Sequence, residues 1–157
     1  PTYFPNLLAG FVTAGEQRER ALMLEMATDK DYAAHRVSYQ LNLTGPSVCI
    51  QTSCSTSLSC VAMACGDLAL GHSDRAIAAA ASLVFPRTRG YLYLEGMPES
   101  RTGRCRTFDA AASGTVFGDG TGTVMLRPLS GPNASVPPGG DTVLAVIVGY
   151  GINNDGK

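Results

Sequence analysis

The spacing of the apolar residues changes at Cys54, and this change constrains the fold more than any other feature of the chain. The segment 47–53 is rich in β-branched residues and is typical of a short strand. From residue 58 the apolar residues follow helical spacing instead, at Leu58, Val61, Ala62, Cys65, Leu68 and Ala69. Gly71 predicts the end of that helix. The sequence therefore places a cysteine at a strand-to-helix junction.

A thiol at such a junction is suited to nucleophilic chemistry. The free N–H groups and the dipole of a helix N-terminus favour the thiolate, and Ser55, Thr56 and Ser57 supply hydroxyls there. A tight turn also directs the side chain outward, as in the nucleophile elbow of hydrolases. The same amides can bind the oxyanion formed when a thioester is attacked. The pattern predicts Cys54 as a thioester-forming nucleophile. A small buried core residue is the alternative that the spacing leaves open.

The remaining segments predict a layered α/β arrangement. Residues 29–41 favour a helix that begins with acidic residues. Residues 75–85 are small and apolar. Their propensity favours a helix, but a run without a polar face is typical of a buried parallel strand, which we predict. A glycine turn at 118–122 leads into a strand at 123–126, and a final strand follows at 142–148.

Composition excludes several classes of protein. The chain has 157 residues, 45% apolar and 16% charged, so much of one domain is expected to be buried. The formal net charge of −1 gives no reason to expect nucleic acid or an anionic membrane as a partner. No apolar run is long enough to cross a membrane. The five cysteines include no C-x-x-C pair, so neither a metal site nor disulfides are expected, and the cytoplasm is the predicted location.

Both ends of the sequence are abrupt. The chain opens at Pro1 without an initiator methionine, and it closes on Gly156 and Lys157 directly after a predicted strand. Natural termini are usually polar and loosely held. We therefore expect residues 1–157 to be part of one domain, truncated at both ends.

Several sequence blocks resemble the ketosynthase (β-ketoacyl synthase) domain of type I polyketide synthases. Residues 42–47 read Asn-Leu-Thr-Gly-Pro-Ser, and residues 51–58, around Cys54, read Gln-Thr-Ser-Cys-Ser-Thr-Ser-Leu. Further blocks match in the family's order, at 29–32, 36–39, 90–97, 105–109, 114–120 and 151–156. The resemblance spans nearly the whole chain.

The chain departs from the family pattern at three places. Thr52-Ser53-Cys54 stands where the family usually has Thr-Ala-Cys. Gly118-Asp119-Gly120 replaces the usual Gly-Glu-Gly, and the turn 97–103 before Cys105 is unusual. These differences bear on substrate preference and leave the family resemblance intact.

The resemblance implies a fold and a reaction. The fold is thiolase-like, with α-β-α-β-α layers, of which this chain supplies mostly the N-terminal half. Cys54 would accept an acyl group from the phosphopantetheine arm of an acyl carrier protein, and its backbone amide would form part of an oxyanion hole. A malonyl-type extender would then lose carbon dioxide and attack the thioester. The complete enzyme is expected to be a homodimer with no bound cofactor or metal.

The resemblance also assigns supporting residues. It places Asn153, Asn154 and Asp155 in a loop near the active site. The two histidines that the family uses for decarboxylation lie after this block, beyond residue 157. The chain by itself is therefore expected not to condense.

Other interpretations remain open at this stage. The most similar one is the ketosynthase domain of a fatty acid synthase. From other classes, the chain could be a cysteine hydrolase with His35 or His72 as its base, or a non-catalytic module that docks a carrier protein. Gly118–Gly122 precedes a strand, so a structural turn is favoured over a nucleotide-binding loop. We expect Phe117 and the cysteines at 49, 60 and 65 to be packing residues.

Overall fold

A computed structural model of the chain describes residues 23, 26–84, 90–131, 134, 140, 142–154 and 156. Residues 23 and 26–28 are helical, and two further α-helices and two β-strands are described from end to end. They are α1 (Ala33–Gln40), α2 (Thr56–Ala69), β1 (Ala76–Ser82) and β2 (Gly120–Leu126). Short 3-10 turns, Lys30–Tyr32 and Ser53–Ser55, precede α1 and α2 respectively.

The acidic residues before α1 begin the helix as predicted. The Asp29 carboxylate accepts a 2.8 Å hydrogen bond from the N–H of Asp31, which caps the 3-10 turn. Along α1, the Ser38 hydroxyl lies 3.0 Å from that of Ser47, and the N–H of Ala34 donates to the Cys49 thiol at 3.4 Å. These contacts fasten α1 to the segment that leads to Cys54.

Helix α2 ends at Gly71, as the sequence predicts. Gly71 has a positive φ of 76°, and its N–H donates to the Leu68 carbonyl at 3.1 Å. The N–H of His72 donates to the Asp67 carbonyl, also at 3.1 Å. This pair of bonds is a Schellman motif, which satisfies carbonyls that the end of the helix leaves unpaired.

Strand β1 lies within the predicted segment 75–85, but it is neither parallel nor buried on both faces. It pairs with β2 in antiparallel register, from Ala76 opposite Leu126 to Ser82 opposite Gly120. Ala78 is buried whereas Ile77 and Ala79 are exposed, the alternation of a strand covered on one face. Helix α2 packs against this strand. The predicted direction is wrong because a run of alanines carries no information about which strand will pair with it.

Two predicted strands are not formed. Residues 47–52 and 142–150 belong to no ladder, because the only sheet in the described ranges is the β1–β2 pair. A strand needs the backbone groups of a neighbour, and a β-branched run supplies only the propensity. The predicted glycine turn at 118–122 is shorter than expected. Strand β2 begins at Gly120, three residues before the predicted start of the strand.

The buried apolar core of the described part is small. It comprises Ala62, Leu68 and Ala78, where α2 meets β1. Large apolar side chains elsewhere stay in solvent, including Leu144 at 93% and Val148 at 98% exposure. Phe117, predicted to lie in the core, is 56% exposed, because the described part holds no layer that covers it. In the ranges that the structure describes, no helix is long and apolar enough to cross a membrane.

Candidate functional site

Cys54 occupies a strained turn that leads directly into α2. The 3-10 turn Ser53–Ser55 joins α2 at Thr56, and Ser53 has a left-handed φ of 55°. This conformation costs a residue other than glycine about 1–2 kcal/mol. Cys54 is exposed. The alternative of a small buried core cysteine is therefore wrong. The predicted turn before the helix is present, but residues 47–52 form no strand ahead of it.

The hydroxyls around Cys54 stabilise the turn in a way that the sequence did not predict. The N-cap residue Ser55 makes no side-chain bond to the helix amides. Its hydroxyl donates back to the Thr52 carbonyl at 2.8 Å, and the Thr56 hydroxyl donates to the Ser53 carbonyl at 2.7 Å. Hydroxyls expected to accept hydrogen bonds from the start of the helix instead fold the turn onto its own carbonyls.

The backbone amide of Cys54 takes no part in the turn's own hydrogen bonds. Those bonds run from the N–H of Ser55 to the Thr52 carbonyl and from the N–H of Thr56 to the Ser53 carbonyl. The Cys54 thiol lies 3.8 Å from the Ser53 hydroxyl. An exposed thiol beside an uncommitted amide is the arrangement that thioester attack with oxyanion binding requires.

Neither histidine is paired with Cys54 in the described part of the chain. His35 lines an open depression of about 270 Å³ beside α1, together with Met26, Tyr32, Arg36, Tyr39 and Gln40. His72 instead lies at the end of α2, where its Nδ1 is 3.3 Å from an Asp67 carboxylate oxygen. A cysteine hydrolase needs its base within hydrogen-bond reach of the thiol. The geometry therefore does not favour the hydrolase interpretation.

The structure describes two of the three predicted supporting residues, Asn153 and Asn154. Asn153 and Asn154 are exposed, and the Asn154 side chain accepts a 3.0 Å hydrogen bond from the N–H of Gly156. This is a local turn of the kind that asparagine favours. Neither asparagine forms a hydrogen bond with Cys54, and Asp155 lies outside the described residues. The supporting role of these three residues stays a prediction.

A second exposed thiol, to which the sequence assigned no role, has a distinct environment. The Cys105 thiol lies 3.5 Å from the Thr115 hydroxyl and accepts a 3.0 Å bond from the N–H of Val116. The hydrogen bond with Thr115, followed by that from Val116, holds the pKa of Cys105 below its ordinary value. Local sequence gives no signal of this environment, because the partners lie ten and eleven residues away.

The loop that carries Cys105 is organised by Ser100. Only 1% of Ser100 is exposed, and its hydroxyl donates to the Arg104 carbonyl at 2.8 Å. The phenol of Tyr91 donates to the Ser100 carbonyl at 2.6 Å. The neighbouring Glu99 has one buried carboxylate oxygen without a hydrogen-bond partner. The unusual turn at 97–103 is thus an ordered structure centred on a buried serine.

Comparison with known proteins places the chain in a family. Residues 9–131 match the family described as Beta-ketoacyl synthase, N-terminal domain. The chain is also similar to the solved structure of ketosynthase twelve from the bacillaene polyketide synthase of Bacillus amyloliquefaciens. The TM-score is 0.68 at 25% identity, over 78% of this chain and 22% of that one. The predicted thiolase-like fold class is therefore confirmed for this partial domain.

Curated relatives are polyketide synthases. The chain is 47% identical over 134 residues to a phenolphthiocerol/phthiocerol polyketide synthase of Mycobacterium tuberculosis, covering 85% of this chain. It is 41% identical over 125 residues, 79% of its length, to the highly reducing polyketide synthase phiA of a fungal species. The chain spans 9% and 5% of the lengths of these two relatives. The match to the family and these similarities confirm the predicted resemblance: the chain belongs to the β-ketoacyl synthase family, in its N-terminal domain.

Proposed function

We propose that this chain supplies the acyl-accepting part of a polyketide ketosynthase, with Cys54 as the nucleophile. The observation that carries the proposal is the geometry of the turn before α2. Cys54 is exposed, follows the left-handed Ser53 and lies two residues before Thr56, where α2 begins. Membership of a condensing-enzyme family supports the reaction class.

The proposed reaction begins with a transfer between thiols. The Cys54 thiolate attacks the thioester carbonyl of an acyl group on the phosphopantetheine arm of a carrier protein. The bond from the carbonyl carbon to the pantetheine sulfur breaks, and the carrier leaves as a thiolate, which takes up the proton that the Cys54 thiol gave up. The Cys54 amide can donate to the oxyanion that forms in between.

The second half of the reaction forms the carbon–carbon bond. A malonyl-type thioester on a carrier protein loses carbon dioxide, and the electron pair of the broken bond attacks the Cys54 thioester. Cys54 leaves as its thiolate, and the product is a β-ketoacyl carrier protein. Neither His35 nor His72 is paired with Cys54, so we propose that groups outside this chain stabilise the charge formed on decarboxylation, within a homodimeric enzyme.

Condensation in the protein that carries this chain tests the proposal. Purified protein is supplied with an acyl-loaded and a malonyl-loaded carrier protein, and the β-ketoacyl product is measured by mass spectrometry. Cys54→Ala is expected to abolish the product, whereas Cys60→Ala, which removes a half-buried cysteine within α2, is expected to retain it. Undiminished product formation by Cys54→Ala would overturn the proposal.

A carrier-docking module is the competing interpretation, and the same assay distinguishes it. A docking module would bind the carrier protein without any thioester reaching the chain. The exposed thiol beside an uncommitted amide favours catalysis, because a docking surface has no need of either group.

A further inference from the structure

The Thr56 side chain connects the two residues that precede Cys54. Its hydroxyl accepts a 3.0 Å hydrogen bond from the N–H of Thr52 and donates a 2.7 Å bond to the carbonyl of Ser53. Thr56 is half-buried, whereas residues 51–55 are all exposed. A single hydroxyl on the first residue of α2 therefore closes the turn by both a donor and an acceptor.

The turn needs such a connection because Ser53 has an unfavourable backbone conformation. A left-handed φ persists in a residue other than glycine only where the surroundings enforce it. Packing does not enforce it here, since Ser53 and its neighbours up to Ser55 are exposed. Hydrogen bonds hold it instead: those of the Thr56 hydroxyl to Thr52 and Ser53, together with the bonds that Ser55 donates to the Thr52 carbonyl.

A second tie anchors the same turn to the buried face of α2. The Thr52 hydroxyl donates to the hydroxyl of Ser59 at 2.9 Å, and Ser59 is only 4% exposed. Ser59 belongs to α2, the helix that packs on β1. The turn is thus attached to the rigid part of the molecule through Ser59 and closed through Thr56.

We infer that Thr56 is a positioning residue for Cys54. Its hydroxyl keeps Ser53 left-handed, which holds the Cys54 thiol exposed in the turn before α2. Without the hydroxyl, Ser53 relaxes toward negative φ and the thiol is no longer held in that position. The relevance to acyl transfer rests on the proposed function, but the effect on the thiol itself does not.

Competitive alkylation of the intact protein tests this inference. Iodoacetamide is added at neutral pH, and the modification rate of each cysteine is followed by peptide mass spectrometry. Thr56→Val keeps the shape of the side chain and removes the hydroxyl. It is expected to slow alkylation of Cys54 relative to Cys105 by about two- to fivefold, the factor that corresponds to the net contribution of one hydrogen bond. Thr56→Ser restores the hydroxyl and is expected to restore the rate.

Two controls separate positioning from general loosening. Ser57→Ala removes a neighbouring hydroxyl that takes no part in the hydrogen bonds of the turn, and it is expected to leave the Cys54 rate unchanged. Cys60 and Cys65 are half-buried on α2, so their rates report whether the helix stays folded. If Thr56→Val unfolds the helix, Ser59→Ala provides the test instead, because it cuts the second tie and is expected to slow Cys54 in the same direction.

An unchanged Cys54 rate in Thr56→Val with the helix intact would overturn the inference. A Thr56→Ser variant whose Cys54 alkylation rate stays as slow as that of Thr56→Val would also overturn it. If Thr56→Val unfolds α2, a Ser59→Ala variant with the wild-type Cys54 rate would do the same. Alkylation needs no acyl transfer, so these outcomes stand apart from the nucleophile assignment. If the nucleophile assignment is wrong, Cys54→Ala will form the condensation product at the wild-type rate.

Discussion

Ser100 and Arg104 exchange hydrogen bonds in both directions: the Ser100 hydroxyl donates to the Arg104 carbonyl at 2.8 Å and accepts from the Arg104 N–H at 3.2 Å. The same hydroxyl also accepts from the N–H of Thr102 at 3.3 Å. Because Ser100 is the most deeply buried side chain of the described residues, water does not replace these bonds when they are lost.

Ser100→Ala is therefore expected to destabilise the loop by about 1 kcal/mol, the net contribution of a hydrogen bond. Hydrogen exchange measured by mass spectrometry should show faster exchange across 97–116. Ser130→Ala, at an exposed serine, is the matched control and should leave this region unchanged. If the backbone amides of 97–116 exchange at the same rate in the two variants, the role given to Ser100 is contradicted.

Gly114 allows the same loop to close. A Cβ atom added at this residue would lie 2.6 Å from the Glu99 carbonyl oxygen, and its φ of +130° is one that side-chain-bearing residues rarely adopt. Gly114→Ala is expected to cost about 1–3 kcal/mol, as overpacking does, and to expose the 97–116 backbone to hydrogen exchange. Gly118→Ala, where nothing lies within 4 Å of the added atom, should have little effect. A Gly114→Ala protein with wild-type exchange would refute this close packing.

The reactivity of Cys105 should depend on Thr115. The hydrogen bond with Thr115 is the main cause that lowers the pKa of Cys105. In Thr115→Val the pKa is expected to rise toward its ordinary value, so less thiolate is present at neutral pH and alkylation of Cys105 slows there. At strongly alkaline pH the two proteins should react alike, because both thiols are then ionised.

The pH profile of Cys105 alkylation, followed by peptide mass spectrometry, checks this expectation. Thr107→Val, at an exposed threonine two residues from the cysteine, is the control and should keep the wild-type profile. Coincident profiles for wild type and Thr115→Val would mean that the Thr115 contact does not set the pKa of this thiol.

Local patterns in the sequence predicted the elements that depend on local interactions. Helix α2 and its end at Gly71 follow from the i, i+3, i+4 spacing and from a residue that accepts a positive φ. Cys54 could be found in the same way, because the junction lies where the period changes. The motif blocks added the family, which spacing alone does not reveal.

Features that depend on distant partners were not predictable from local patterns. The direction of β1 is set by β2, whose first residue comes 38 positions after Ser82 in the chain. The segments 47–53 and 142–148 have strand propensity, but no described strand pairs with them. The sequence does not predict the left-handed conformation of Ser53 either, since serine has no preference for positive φ.

The chain by itself should self-associate. Its described core contains three apolar side chains, while Leu144 and Val148 are almost fully exposed. Contiguous apolar surface of more than a few hundred Å² favours association. Sedimentation of the purified 157-residue chain should show oligomers or a loosely packed species that binds a hydrophobic dye.

Val148→Lys is expected to reduce this association, because it places a charge in the exposed apolar segment. Thr142→Lys adds the same charge at an exposed polar position and serves as the control. A clean monomer with a sharp, cooperative melting transition would contradict the expectation.

The location of the acyl group after loading tests the central claim most directly. The protein that carries this chain is incubated with an acyl-loaded carrier protein and then digested. The masses of its cysteine-containing peptides are measured by mass spectrometry. We predict the acyl mass on the peptide that contains Cys54, none on the equally exposed Cys105, and no thioester in Cys54→Ala. A thioester on Cys105, or one that persists in Cys54→Ala, would contradict the assignment of Cys54 as the nucleophile.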